Sequence, residues 1–112
     1  MKHIPFNKAD IQGEAINNIQ KVLQNGHISG DGEYTLNCNR LIEKELSVNK
    51  AFLTTSCTHA LEITALLLGI ESGDEVIVPS FTFVSVINAF VLYGAKPVFI
   101  DIDPETLNMD VT

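Results

Sequence analysis

Between residues 10 and 25 the apolar positions Ile11, Ala15, Ile16, Ile19, Val22 and Leu23 fall at three- and four-residue gaps, the spacing of one face of a helix. Asp10 can cap its start and Asn25-Gly26 supplies a left-handed stop, so the pattern predicts a helix over 10–25. Gly26-His27-Ile28-Ser29-Gly30-Asp31-Gly32 follows neither helical nor strand period and reads as a shaped loop. Cys38, Ile42 and Leu46, with Leu41 beside them, then predict a second helix over 35–46, with Arg40, Glu43, Lys44 and Glu45 on its wet side. Asn49-Lys50 makes a turn.

From there short apolar runs alternate with longer helical ones. Residues 51–55 predict a strand, and 59–68 a helix rich in Ala and Leu that Gly69 can end. Ser72-Gly73-Asp74 turns the chain into a β-branched strand over 75–78, stopped by Pro79. Residues 82–92 are too long for a buried strand and predict a helix closing at Tyr93-Gly94, and 98–100 predict a third strand that ends at Asp101-Ile102-Asp103-Pro104. Strands and helices in this order, joined by short connectors, make a parallel βαβαβ unit. The predicted fold class is α/β, two amino-terminal helices followed by that unit. Val76–Val78 and Val98–Ile100 lack polar alternation, which predicts burial on both faces of the sheet.

Three strands and four helices do not cover such a sheet, and Asp110 reads as a helix cap with hardly any helix behind it. We therefore expect residues 1–112 to be the amino-terminal portion of a longer protein, with an apolar face prone to association. Its expected parts are a helical arm and loop over 1–50 and the βαβαβ unit over 51–112.

Composition adds exclusions more than assignments. The 112 residues are 46% hydrophobic and 19% charged, as expected of a folded core. Fourteen acidic against seven basic residues give a net charge of −7, which argues against a nucleic-acid or anionic-membrane partner. Neither a run long enough to cross a bilayer nor a secretion signal is visible, so the cytoplasm is the expected compartment. Cys38 and Cys57 have no metal-ligand spacing and suit a reducing environment.

The strongest local signal for chemistry is Thr54-Thr55-Ser56-Cys57-Thr58-His59-Ala60, a polar cluster between a predicted strand and a predicted helix. A helix amino terminus offers unpaired N–H groups and partial positive charge, so it can hold a phosphate. Ser56 or Thr58 acting simply as a cap explains the same residues, and spacing alone favours the cap. Neither a P-loop nor a GxGxxG fingerprint is present. With no general base identifiable, Cys57 is expected to pack as a small residue under the loop, and His59 to sit on the surface of the first turn. Phe81 and Phe83 follow the next strand. Core packing is expected of Phe81, while Phe83 fits equally a core position or a wall that stacks on a planar ligand. Asp101 and Asp103 fit a solvated turn better than a metal pair, and Ser29-Gly30-Asp31-Gly32 is either a phosphate nest or a connector.

Several of these segments together resemble the start of the DegT-type nucleotide-sugar aminotransferases. They are Ile4-Pro5-Phe6, the Gly26–Gly32 loop, Leu53-Thr54-Thr55-Ser56-Cys57-Thr58, the run from Gly73 to Phe83 and Gly94-Ala95-Lys96-Pro97-Val98-Phe99-Ile100-Asp101, in the family's order. The resemblance implies the aspartate-aminotransferase fold type, a homodimer, and pyridoxal 5′-phosphate (PLP) as cofactor. It further implies glutamate as amino donor and a nucleotide sugar as acceptor, with a dTDP-linked 4-amino-4,6-dideoxygalactose as the expected kind of product. By the same resemblance Ser56, Cys57 and Thr58 hold the cofactor phosphate, Phe83 stacks on its ring, and Ser29 and Asp31 lie on the substrate side. The cofactor-linking lysine and the acidic partner of the pyridine nitrogen are expected beyond Thr112, since none of Lys2, Lys8, Lys21, Lys44, Lys50 and Lys96 has the family's context. The chain by itself is then expected to be inactive. Two alternatives stay open: a PLP-dependent sugar dehydratase, with His in place of that lysine, and a non-enzymatic nucleotide-binding or interaction module.

Overall fold

The computed structural model describes residues 3–11 and 13–111. The chain divides into two units, Met1–Leu53 and Thr54–Thr112, each described by itself below.

The first unit holds α1 (Gly13–Asn25) and α2 (Glu33–Leu46). Helix α1 is described from Gly13 onward. Its end is as the sequence predicts: Gly26 takes φ +72° and its N–H donates to the Leu23 carbonyl at 3.2 Å. The half-buried residues of α1 are Ala15, Asn18 and Val22. The more apolar stripe Ile16, Ile19 and Leu23 stays more than half exposed. The Tyr34 hydroxyl donates to Asn18 Oδ1 at 3.1 Å, which ties the two helices. Helix α2 starts two residues earlier than the pattern predicts, from an extended Gly32, and stops at a left-handed Ser47.

The predicted strand over 51–55 is absent. Residues 51–54 carry no strand, and the N–H groups of Ala51 and Leu53 donate to Glu43 Oε1 at 3.2 Å and Asn39 Oδ1 at 3.1 Å. Side chains of α2 therefore take the donors that a ladder would need, and an apolar run without a paired neighbour is no strand.

The second unit contains α3 (Cys57–Leu67), β1 (Glu75–Pro79), α4 (Val84–Val91) and β2 (Lys96–Ile100). The two strands pair in parallel, Glu75 opposite Lys96 through Pro79 opposite Ile100. The predicted βαβαβ unit is thus realised as helix followed by βαβ, still mixed α/β with a parallel sheet. The ladder extends at both ends, from Lys96 N–H to Asp74 O at 2.8 Å and from Ser80 N–H to Ile100 O at 2.9 Å. Lys96 and Glu75 also pair at 3.0 Å, but both are well exposed, so this contact contributes at most about 1 kcal/mol.

The core is small and made of small residues. Ala65, Val78, Ala89 and Ala95 are the buried hydrophobics among the described residues. Val76, Val78 and Pro97 meet Ile87 and Phe90 of α4 on one face of the sheet. Ile77 on the other face is 61% exposed, and Phe99, opposite Val78, is 56% exposed, so the expected burial is incomplete on both faces. Burial of Val78 contributes about 1.5–3 kcal/mol, more than any exposed ion pair in the unit.

After β2 the chain turns back on itself. Asp103 Oδ1 accepts the N–H groups of Glu105 and Thr106, each at 2.8 Å, and Ile102 bridges Met109 in antiparallel fashion. The N–H of Asp110 donates to the Asp101 carbonyl at 3.0 Å, and no helical turn forms through Val111. Asp110 thus closes the return through its backbone N–H. Among the described residues no helix is long and apolar enough to cross a membrane.

Both turns of the second unit can be tested. Gly94 has φ +93°, and a Cβ there would meet the backbone N and Cα of Ser72 at 3.2 Å. Gly94→Ala is expected to destabilise the full-length protein by about 1–3 kcal/mol in denaturant unfolding, whereas Gly13→Ala, with open space around it, is not. The two N–H bonds hold the Asp103 carboxyl below the usual carboxylate range. A depressed folded pKa stabilises the turn above the ordinary Asp value, and that contribution is lost as pH falls through the folded value. An NMR titration of Asp103 should give a midpoint below that of an unstructured Asp, with the Glu105 and Thr106 amide signals shifting in step.

Candidate functional site

Short connectors fix where the helices of the second unit begin. Four residues link β1 to α4 and four link α4 to β2, so α4 runs antiparallel to both strands and starts at their carboxyl end. Helix α3 packs along α4, and its own carboxyl end is joined by a short turn to the start of β1. The amino termini of both helices therefore lie at the carboxyl end of the sheet, where open parallel sheets bind ligands. The topology brings Ser56, Cys57 and Thr58 to the same end as Phe83.

The loop entering α3 is tightly specified. Ser56, extended at φ −160°, is the N-cap, and its Oγ accepts the His59 N–H at 3.1 Å. The Ala60 N–H donates to the Ser56 carbonyl at 3.1 Å. Thr54 Oγ1 donates to that same carbonyl at 2.8 Å, and the Thr55 hydroxyl is hydrogen-bonded to His59 Nδ1. What remains is the first-turn N–H of Cys57 and of Thr58, for which a helix supplies no acceptor, and the hydroxyl protons of Ser56 and Thr58. These donors, on the positive end of an 11-residue helix, suit an anion.

Cys57 is exposed, which corrects the expectation that it packs beneath the loop. It is the first residue of the helix and projects from the turn. His59 is a first-turn surface residue, as expected. Phe83 sits at the N-cap of α4 and is 74% exposed, a free aromatic side chain at the same end of the sheet as the start of α3. Phe81 is 71% exposed, so its expected core role fails, because no described element covers the loop after β1.

Ser29 and Asp31 belong to the first unit. His27 Nε2 lies 3.2 Å from the Gly30 carbonyl and 3.3 Å from Ser29 Oγ, and because a carbonyl only accepts, that nitrogen carries the proton. Asp31 adopts φ +63°, a left-handed conformation that Asp tolerates better than most residues. A cavity of about 120 Å³ opens beside this loop between Val22, Ser29 and Tyr34. The loop is thus a shaped element with its own hydrogen bonds. Asp101 and Asp103 are turn-formers, their carboxylates accepting backbone N–H groups.

The model of the DegT/DnrJ/EryC1/StrS aminotransferase family matches residues 9–112. The chain belongs to that family. Among its relatives, GDP-perosamine synthase of Escherichia coli O157:H7 is 35% identical over 112 residues, covering all of this chain and 31% of that protein. A putative sugar aminotransferase of Streptococcus pneumoniae, solved in its PLP form, superposes with a TM-score of 0.83 at 32% identity, over 97% of this chain and 28% of the other. The E. coli GDP-4-keto-6-deoxy-D-mannose-3-dehydratase with bound hydrated PLP gives a TM-score of 0.88 at 26% identity, over 98% of this chain and 30% of the other. This DegT-family chain therefore spans less than a third of the length of the relatives it matches. Their fold is the one its helices and parallel strands begin.

The hydroxyl locks of Thr54 and Thr55 are what sequence reasoning misses. Their signal is the run Thr54-Thr55-Ser56 with His59 at the third helical position, the spacing of a capping box with His in the acidic place. In the full-length DegT-family protein, Ser56→Ala should cost about 1 kcal/mol in chemical denaturation by removing the cap acceptor. Ser56→Asp should keep the wild-type stability, since Asp caps equally well.

Proposed function

We propose that the full-length protein is a PLP-dependent nucleotide-sugar aminotransferase in which Ser56, Cys57 and Thr58 hold the cofactor phosphate. The observation that carries this reading is the amino terminus of α3. It offers two backbone N–H groups and the Ser56 hydroxyl proton, with the Thr54 and Thr55 hydroxyls already engaged in the entering loop, at the same end of the sheet as an exposed aromatic ring. That donor set fits a phosphate monoester, and the ring fits a planar heterocycle. The relatives solved with PLP support that cofactor.

When bound, PLP supplies the electron sink through which an amino group leaves glutamate and reaches a keto carbon of the sugar. The residues of this chain bind and orient. The N–H groups of Cys57 and Thr58 and the Ser56 hydroxyl donate to phosphate oxygens, and the helix dipole favours their charge. Phe83 walls one face of the ring, and Ser29 and Asp31 stand on the substrate side. The cofactor-linking lysine lies downstream of these residues, so residues 1–112 alone do not turn over. The working protein is a homodimer.

We assign the acceptor as a 4-keto-6-deoxy sugar on dTDP, giving a 4-amino-4,6-dideoxygalactose for cell-surface polysaccharide. The resemblance of the Gly73–Phe83 and Gly94–Asp101 segments supports dTDP. The relative at 35% identity favours a second reading, in which the same sugar chemistry is done on GDP. Incubation of the full-length protein with glutamate and either dTDP- or GDP-linked 4-keto-6-deoxyhexose separates the two. The expected result is 2-oxoglutarate and an amino sugar from the dTDP substrate, and an amino sugar from the GDP substrate alone would establish the second reading. Loss of oxygen at C3 without an amino sugar would make the protein a dehydratase, and no PLP uptake would leave a non-enzymatic module.

Capping and phosphate binding by Ser56 separate in one variant. Ser56→Asp retains the cap but sets a carboxylate against the phosphate, so PLP affinity should fall by more than about tenfold while stability holds. Phe83→Ala should weaken PLP about two- to tenfold through lost stacking, read by equilibrium dialysis.

A further inference from the structure

Four side chains at the start of α3 look interchangeable in sequence, since Thr54, Thr55, Ser56 and Thr58 each bring a hydroxyl to the same turn. The hydrogen bonds distinguish them. Thr54 commits its proton to the Ser56 carbonyl, and Thr55 is bonded to His59 Nδ1. His59 is also held from its backbone, its N–H donating to Ser56 Oγ at 3.1 Å. The residue is therefore fastened to two successive positions of the entering loop, by its side chain to Thr55 and by its main chain to Ser56. Rotation of the loop at either position breaks one of the two bonds.

We propose that His59 is a positioning residue for the phosphate cradle, acting through Thr55 to hold Ser56 and the Cys57 and Thr58 N–H groups in one arrangement before the phosphate arrives. This rests on the PLP reading above. A cradle fixed in advance loses less freedom on binding, so its affinity for a phosphate is higher than that of the same donors on a loose loop. Neither Thr55 nor His59 needs to touch the phosphate. In its neutral form the imidazole accepts the Thr55 proton at Nδ1, leaving Nε2–H outward.

The test compares PLP with pyridoxal, which has the same ring and no phosphate, on the full-length protein. Thr55→Val, close to isosteric, and His59→Ala should each weaken PLP about three- to tenfold, the range of one hydrogen bond, and leave pyridoxal affinity unchanged. The ³¹P signal of bound PLP should shift in both variants. Thr55→Ser and His59→Asn, which retain a donor and an acceptor, should restore most of the affinity. The double variant should be no weaker than either single one, because both remove the same bond. Unchanged PLP affinity in Thr55→Val and His59→Ala, or equal losses for PLP and pyridoxal, overturns the assignment while the PLP reading stands. A wild-type protein that takes up no PLP overturns both.

Discussion

The parallel pairing of β1 with β2, held under α4, is the constraint on which the second unit depends. Five residue pairs in register bring the strand ends level, and the short connectors then leave α4 only one direction in which to run. The buried residue on each helix is an alanine, Ala65 on α3 and Ala89 on α4. Small side chains let the helix axes approach closely where α3 packs along α4. Remove the pairing and the two helix starts lose their common end of the sheet, and with it any reason for Ser56 and Phe83 to serve one ligand.

The same arrangement explains why so much apolar surface stays open. One face of a two-stranded sheet is covered in part by α4, with Phe99 left exposed, while Ile77 on the other face stays exposed, as does the Ile16–Ile19–Leu23 stripe of α1 in the first unit. Among the described residues four buried hydrophobics are few for this apolar content, because parallel strands are stabilised by layers on both sides.

The elements with strong local signals are legible in the sequence. Helical spacing locates α1 to α4 to within a few residues, and Gly26 and Gly69 end their helices in the left-handed conformation. The run 51–55 fails because strand formation is decided by a partner, which no local pattern reveals, and here Glu43 and Asn39 take its donors. Phe81 and Cys57 fail for a related reason: apolar character predicts burial only where something lies over the residue. The return from Asp101 to Asp110 is half legible. Asp103-Pro104 marks the turn, but the pairing of Ile102 with Met109 depends on a register that composition does not encode.

The candidate site shows the limit most clearly. Residue type marks the Thr54–Thr58 cluster as polar and helix-initiating, which is enough for either a cap or a phosphate cradle. Geometry makes the two roles compatible in one residue, since Ser56 accepts from His59 with a lone pair and keeps its own proton to donate. It also divides the hydroxyls by task, with Thr54 and Thr55 committed to the loop itself. A loop whose internal bonds are complete presents its remaining donors without competition from its own side chains. That division, which follows from the order of residues through the turn more than from their composition, makes the start of α3 a better anion site than four hydroxyls left free to rearrange.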